Sequence, residues 1–154
     1  MSKNILILGA GESGVGAAKL ALTQGFTPFV SDSGEGEKSL LDELKSLGIS
    51  YEINGHNPNN WISSKMVIKS PGIPESSPIL SPLREDGAEI ISEIEFASRY
   101  SKGKVVAITG SNGKTTTTAL IHRMLTDAGM NAACVGNIGT SWARDIAERK
   151  TAAE

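Results

Sequence analysis

The chain has 154 residues, of which 39% are hydrophobic and 21% are charged, and its formal net charge at pH 7 is −2. This composition is typical of a globular α/β protein, and the scattered Lys and Arg residues do not favour a nucleic-acid partner. No apolar run approaches the ~18 residues that cross a membrane. The N-terminus lacks a secretory apolar core, and the single cysteine, Cys134, excludes an internal disulfide. We therefore expect a cytoplasmic protein without a membrane partner.

The first predicted unit is a strand, a glycine loop and a helix. An apolar run at 4–8 precedes Gly-Ala-Gly-Glu-Ser-Gly at 9–14, which fits the G-x-G-x-x-G pattern, and a helix is expected from about 15 to 24. Asp32 follows a strand at 29–31, where Rossmann-like folds place an acid that binds ribose. The alternative for Asp32 is a turn residue in Ser-Asp-Ser-Gly. The pattern does not identify the nucleotide, so an NAD(P)-binding oxidoreductase domain stays open.

Strands and helices continue to alternate up to about residue 100. The pattern predicts helices over 37–47, about 77–86 and 93–100, and strands over 51–53, 66–68 and 89–91. Ser-Pro-Gly at 70–72 follows a strand, and Pro with Gly is typical of a turn. The alternation predicts an α/β fold with a Rossmann-like, doubly wound and mostly parallel sheet, which we assign to residues 1–100.

A second glycine loop is the most informative stretch of the chain. Val105–Ile108 is expected to form a buried parallel strand, and Thr-Gly-Ser-Asn-Gly-Lys-Thr and a helical pattern follow it. This is the layout of a phosphate-binding P-loop, with Lys114 at the β- and γ-phosphates and the Thr115 hydroxyl on Mg²⁺. The general pattern has a glycine where this chain has Ile108, so the loop is a shortened variant. The alternative is an ordinary glycine turn with a surface lysine.

The segment that follows a linker at 101–103 is predicted to begin a P-loop domain. It supplies two strand–helix units, at 105–128 and 131–150, and Cys134 would be buried in the second strand. About 50 residues bury too little surface for a stable domain of their own. The downstream acid that usually completes Mg²⁺ binding is also missing. We therefore expect 101–154 to be the truncated start of an ATP-binding domain, within an N-terminal piece of a longer protein.

Taken together, the motifs resemble the Mur ligases of peptidoglycan synthesis. The resemblance covers essentially the whole chain, through 9–14, Ser-Asp-Ser at 31–33, Ser-Pro-Gly-Ile-Pro at 70–74, the shortened ATP loop at 108–116 and Gly-Asn-Ile-Gly at 136–139. Folylpolyglutamate synthases share the ATP loop. The N-terminal Rossmann-like loop together with Asn-Ile-Gly favours the branch that adds D-glutamate. A different amino-acid ligase of the family and a non-catalytic nucleotide-binding module remain alternatives.

The resemblance implies an ATP-dependent ligation through an acyl phosphate, with ATP and Mg²⁺ as cofactors and UDP-N-acetylmuramoyl-L-alanine and D-glutamate as substrates. It assigns catalysis to Lys114, Thr115 and Asn137, and the metal to Thr115. The implied ATP-binding residues are Gly110, Ser111, Asn112, Gly113, Lys114, Thr115 and Thr116. The implied substrate-binding residues are Glu12, Ser13, Gly14, Asp32, Ser33, Ser70, Pro71, Gly72 and Asn137. Later family motifs are absent, so we expect the chain to be inactive as a ligase by itself. We also expect a monomer.

Five side chains have simpler interpretations from the residues alone. The Glu12 carboxylate would repel a phosphate, so its charge predicts that it faces solvent and is not a ligand. His56 lies in a polar loop and His122 in a helix, without a partner pattern for a metal, and both are expected to be structural or solvated. Trp61 and Trp142 are expected to be packing residues.

Overall fold

A computed structural model describes residues 4–60, 64–137 and 139–151 of the chain. Trp61 and Ile138 therefore lie outside the described residues. The strands are β1 (Asn4–Leu8), β2 (Thr27–Ser31), β3 (Ser50–Glu52), β4 (Met66–Lys69) and β5 (Glu89–Ser92). The helices are α1 (Glu12–Thr23), α2 (Lys38–Ser46), α3 (Leu80–Glu85), α4 (Glu93–Ser98), α5 (Lys114–Asp127) and α6 (Trp142–Thr151), with one 3-10 turn at Pro58–Asn60.

The five strands form one parallel sheet in the order β3-β2-β1-β4-β5. The order reverses at β1, which pairs with β2 on one side and with β4 on the other. This confirms the predicted α/β fold with a Rossmann-like parallel sheet. None of the helices within the described ranges combines the length and apolarity that crossing a bilayer needs.

The core lies on both faces of the central strand. Ile5, Leu6, Ile7 and Leu8 are each 0% exposed, as expected for a parallel strand covered on two sides. Because alternate side chains point to opposite faces, Ile5 and Ile7 pack with residues of α1, α2, α4 and α6, whereas Leu6 and Leu8 pack with α3. The carboxyl ends of β1, β2 and β4 therefore meet at one edge of a rigid sheet.

Element boundaries differ from the sequence predictions by a few residues. Helix α1 begins at Glu12, earlier than expected, because Gly11 takes the extended N-cap conformation. Helix α3 begins only at Leu80, after a turn in which the Ser77 N–H donates to the Pro74 carbonyl. Helix α4 begins after Ser92, whose hydroxyl accepts from the Glu95 N–H as an N-cap.

The predicted strand at Val105–Ile108 is wrong for this chain. The segment has no strand conformation, and Val105 and Val106 are 59% and 62% exposed. A parallel strand takes its hydrogen bonds from neighbouring strands, and no described strand lies beside this segment. The second expected strand reduces to one isolated bridge between Val135 and Thr140, and Cys134 is half-buried, not fully buried.

The two helices of the second segment differ in their packing. Helix α5 forms as predicted, but none of its residues is buried, and Leu120 and Met124 are 59% and 63% exposed. Helix α6 packs against α1 and α4, and its Ala143 and Ala147 are 0% exposed. Trp142 is partly buried against the core, which confirms its packing role. The end of the segment is thus part of the core that covers one face of the sheet.

Candidate nucleotide-binding site

A cleft of about 440 Å³ lies at the carboxyl ends of β1, β2 and β4. It sits where the strand order reverses, which is the usual ligand position in open α/β sheets. Of the sequence-predicted substrate residues, Asp32, Ser33, Ser70 and Gly72 line it, whereas Ser13, Gly14 and Pro71 are not lining residues. The full lining consists of Gly9, Gly11, Asp32, Ser33, His56, Ser70, Gly72, Ile73, Pro74, Ser77 and Ile79.

The first glycine loop has its composition because backbones approach closely there. Gly9 has a φ of +106°, and a Cβ on it would lie 2.3 Å from Ser70 Oγ. A Cβ on Gly14 would lie 1.9 Å from the carbonyl oxygen of Gly9. No side chain caps the N-terminus of α1 at Gly11. Because Gly11 lines the cleft, this uncapped helix N-terminus lies at the cleft edge, where its first-turn N–H groups favour an anion.

Asp32 joins the loops that follow β1 and β2. Its Oδ2 accepts from the Ala10 N–H over 2.5 Å, and its Oδ1 accepts from the Gly34 N–H over 2.7 Å. The second contact is the side-chain-to-backbone turn that the composition predicted. Each carboxylate oxygen keeps a further lone pair, so the same residue can also accept from a ligand hydroxyl or N–H. The two interpretations of Asp32 are compatible.

His56 is a cleft residue that the sequence analysis missed. Its Nδ1 lies 2.7 Å from the hydroxyl of Ser31, which is 0% exposed and donates to Oε1 of Glu52 over 2.6 Å. A hydroxyl has a single proton, and a carboxylate only accepts, so Nδ1 must carry the proton in this pair. In the neutral ring Nε2 is then an acceptor. No local pattern signals this role, because the three residues meet only when β2 and β3 pair.

The turn at 70–72 forms the other wall of the cleft. The Ile73 N–H donates to the Ser70 carbonyl over 3.0 Å, which closes the predicted turn. The Ser70 N–H donates to the Leu8 carbonyl over 2.9 Å and fixes this turn beside the glycine loop. The Ser70 hydroxyl and Gly72 consequently face the same space as Asp32.

The second glycine loop is exposed and lies outside the cleft. Gly113 has a φ of +77° as the N-cap of α5, and the Nζ of Lys114 donates to the carbonyls of Gly110 and Ser111, the latter over 3.2 Å. The first turn of α5 holds Thr115 and Thr116 and no acidic residue. A cation folded over a helix N-terminus suits a phosphate.

The described residues offer few side chains that could ligate a metal ion. Among the described residues, no group of three His, Cys, Asp or Glu side chains could hold a metal ion. Thr115, the residue assigned to Mg²⁺, has a single hydroxyl to offer and stays a prediction. Asn137 is exposed next to the bridge at Val135, and the structure does not bring it into the cleft lining.

Two family models match the chain. The model described as "Mur ligase MurD-like, N-terminal domain" matches residues 3–92, and the model described as "Mur ligase middle domain" matches residues 108–153. The chain belongs to the Mur ligase family. Neither model describes an oxidoreductase, and the comparisons give no support to that alternative.

Curated relatives carry the name UDP-N-acetylmuramoylalanine–D-glutamate ligase. The relative from Bacteroides fragilis is 50% identical over 152 residues, which are 96% of this chain and 33% of the relative. The relative from Cytophaga hutchinsonii is 49% identical, over 97% of this chain and 34% of its own length. The chain spans about a third of the length of these Mur ligases.

Solved Mur ligases share the fold. A murein peptide ligase from Psychrobacter arcticus aligns with a TM-score of 0.61 and 25% identity, over 82% of this chain and 27% of that chain. A UDP-N-acetylmuramate–alanine ligase from Thermotoga maritima aligns with a TM-score of 0.57 and 26% identity, over 82% and 30%. The resemblance that the motifs indicated is thereby confirmed.

In this Mur ligase chain, α6 is held by two carboxylates, one from α1 and one from α4. Oε1 of Glu93, which is 4% exposed, accepts from the Ala143 N–H over 2.6 Å. Oε1 of Glu12 accepts from the Ser141 N–H over 3.2 Å. Burial raises the pKa of Glu93, and the nearby Glu12 acts in the same direction, whereas the Ala143 N–H opposes them. Both acids stabilise the N-terminus of α6.

Glu12 differs from its sequence-based interpretation. Its carboxylate does not simply face solvent, because it forms a two-point pair with Arg144, Nε to Oε1 over 2.7 Å and Nη2 to Oε2 over 3.0 Å. The interpretation failed because its partner comes from α6, more than a hundred residues away in the sequence. Glu12 is also not among the residues that line the cleft.

Proposed function

We propose that the chain is the N-terminal third of an ATP-dependent ligase that joins D-glutamate to UDP-N-acetylmuramoyl-L-alanine. The observation that carries the proposal is the cleft at the strand-order reversal, built jointly by the glycine loop, Asp32 and the Ser70–Gly72 turn. The relatives, which are about 50% identical over nearly the whole chain, carry names that support the same substrates.

The cleft has two ends that suit the two parts of a UDP group. Asp32, Ser33 and His56 stand at the end of β2, the position where folds of this type hold ribose and base. The N-terminus of α1, together with Ser70 and Gly72, provides hydroxyl and N–H donors for the diphosphate. We therefore assign the uridine-nucleotide domain to residues 1–100 and the beginning of the ATP-binding domain to 101–154.

The second loop would serve the phosphoryl transfer. When bound, Mg-ATP supplies the phosphoryl group that activates the substrate carboxylate. The Lys114 ammonium would exchange its loop carbonyls for phosphate oxygens and neutralise their charge. Thr115 would contact Mg²⁺, Asn112 and the Gly113 N–H would line the phosphates, and Asn137 would orient substrate oxygens. Alignment and charge neutralisation are the main demands of such a transfer.

The remaining assignments concern the whole ligase. We propose that it is a cytoplasmic monomer and that D-glutamate binds in a part outside this sequence. The 154-residue chain is expected to release no phosphate from ATP in a D-glutamate-dependent manner. A D-glutamate-dependent release by the purified chain would contradict this assignment of the amino-acid site. Comparing D-glutamate with L-alanine in the full-length enzyme separates this ligase from its relatives.

The first experiment is a thermal-shift measurement on the chain with UDP-N-acetylmuramoyl-L-alanine, NAD and Mg-ATP added separately. A ligand that binds only the folded state stabilises it by mass action and so raises the Tm. At a ligand concentration a hundredfold above the Kd, the free energy of unfolding rises by about 2.7 kcal/mol. We expect a rise with the UDP-sugar and none with NAD. A rise with NAD alone would overturn the proposal.

A further inference from the structure

The N-terminus of α1 carries a negative charge beside the cleft. Glu12 is the first residue of α1 and directly follows Gly11, which lines the cleft. An anion over the glycine loop gains from the N–H groups of this turn. A carboxylate in the same turn opposes that gain, since like charges repel. The loop therefore needs a counter-charge if it is to hold a diphosphate.

Arg144 of α6 supplies this counter-charge. It meets both Glu12 oxygens, in a two-point geometry that makes strong charge-assisted hydrogen bonds. The Arg144 side chain is only 12% exposed, so that solvent screens it weakly. Burial opposes its charge, but hydrogen bonds to Glu43 and Glu12 outweigh this and raise the pKa of the guanidinium. Arg144 is a permanent cation at this position.

The position of Arg144 is fixed by tight packing. A Cβ on Gly16 of α1 would lie 2.0 Å from Ser141 Oγ and 3.1 Å from the Arg144 Cβ. The Nη1 of Arg144 also reaches Oε1 of Glu43 in α2 over 2.5 Å. Helices α1, α2 and α6 all contribute to these contacts, so the docked α6 holds Arg144 against Glu12.

We propose that Arg144 is a positioning residue for the nucleotide: by pairing with Glu12, it removes the repulsion that this carboxylate would exert on a bound diphosphate. The affinity of the cleft thereby depends on the docking of α6, a helix that follows the ATP loop in the chain. This inference rests on the proposed function, because it takes the ligand to carry a diphosphate.

The test is calorimetric titration of the 154-residue chain with UDP. Arg144→Ala leaves Glu12 without its cationic partner and should raise the Kd for UDP about threefold to tenfold, the size of a charge effect at a helix N-terminus. Glu12→Gln should bind UDP at least as tightly as the unmodified chain. The double variant Glu12→Gln with Arg144→Ala should return to within about twofold of the unmodified chain, because the repelling charge is gone.

A matched control removes the same charge elsewhere. Arg99→Ala breaks pairs with Glu89 and Glu95, none of which lines the cleft, and should leave the Kd unchanged. Raising NaCl from about 50 to about 500 mM should reduce the difference in UDP Kd between Arg144→Ala and the unmodified chain, since salt screens charges. Circular dichroism and the Tm of each variant confine the comparison to folded proteins.

The proposal is decided by comparing the Kd values of the two single variants, which should be raised in Arg144→Ala but not in Glu12→Gln. If Arg144 only held α6 in place, Glu12→Gln would weaken UDP binding as Arg144→Ala does, and the double variant would not recover. Either result overturns the proposal, and Glu12→Gln remains decisive even if Arg144→Ala does not fold. If the unmodified chain does not bind UDP, that result contradicts the proposed function. The unmodified chain is measured first, so this outcome is known before any variant is compared.

Discussion

Single residues set the geometry of the cleft through backbone contact and proton placement. Gly14 lets α1 start directly beneath the Gly9 carbonyl, since even one methyl group would overlap it. The tautomer of His56 is set by the hydroxyl of Ser31 and the carboxylate of Glu52, which lie on two neighbouring strands. The close approach at Gly14 and the tautomer of His56 each depend on atoms a few ångströms apart, so each can be tested with one substitution.

Gly14→Ala should destabilise the fold. Its Cβ would lie 1.9 Å from a backbone oxygen that cannot move without disturbing the loop. We expect a loss of about 1 to 3 kcal/mol in the free energy of unfolding, as is typical of overpacking, measured by chemical denaturation. The matched control is Gly103→Ala, whose Cβ would meet nothing within 4 Å. Equal stability of the two variants would contradict the overlap.

The His56 ring should carry its proton on Nδ1. A ¹⁵N-edited spectrum of the histidine ring under mildly basic conditions should display the Nδ1–H pattern, because Ser31 already donates to Glu52. Ser31→Ala removes the hydroxyl and should increase the share of the Nε2–H form. An Nε2–H ring in the unmodified chain would show that the Ser31 proton points to His56 instead.

Helices and strands differ in how far they depend on their neighbours. Helix α5 satisfies its own backbone hydrogen bonds and forms although none of its residues is buried. Val105–Ile108 has equally suitable residues for a strand, but it cannot satisfy its backbone without a partner strand. Helix α6 is an intermediate case, because its N-terminus relies on Glu12 of α1 and Glu93 of α4.

The Glu93 carboxyl should make α6 docking depend on pH. Its pKa in the folded chain is raised above the ordinary value of 4.5, so the folded state holds the proton more tightly than the unfolded state. Its contribution to stability is then greatest below pH 4.5 and falls as the pH rises through the folded pKa. Gln at this position cannot ionise and keeps an oxygen for the Ala143 N–H.

Glu93→Gln should therefore gain in Tm relative to the unmodified chain as the pH is raised from about 4 to about 7. Glu93→Ala also loses the acceptor and should be less stable than Glu93→Gln by about 1 kcal/mol. Thermal unfolding of all three proteins over this pH range measures both effects. A Tm difference between Gln and Glu that does not change with pH would refute the role of burial.

At the scale of the whole molecule, the buried core is concentrated in the sheet and the helices packed on it. The sheet with α1 and α4 holds the buried core, and α6 completes it, while the segment with the second glycine loop contributes exposed apolar side chains. The chain is thus a packed domain followed by a loop and helix whose apolar surface has no cover among the described residues, and then by a docked helix.

Amide hydrogen exchange should reproduce this division. We expect the slowest exchange in β1 and β4, intermediate rates in α6, and fast exchange in 104–113 and α5, because local opening costs least where few apolar contacts are broken. Helix α6 serves as the internal control, since it lies in the same sequence segment as α5. Protection of α5 equal to that of β1 would mean that it packs against a surface.

The sequence by itself determined the sheet, the two glycine loops and the family. Apolar runs, helical periods and Gly-x-Gly spacing are local patterns, and they predicted β1, α1, α5 and the turns at Asp32 and at 70–72. The placement of Ser33, Ser70 and Gly72 in one ligand site came from the family resemblance, and the structure shows that all three line the cleft. The domain boundary and the ligand assignments stay predictions. Tertiary structure decided the rest. The tautomer of His56, the pairing of Glu12 with Arg144, the docking of α6 and the loss of the strand at 105–108 all depend on partners far apart in the chain, and no local pattern contains their positions.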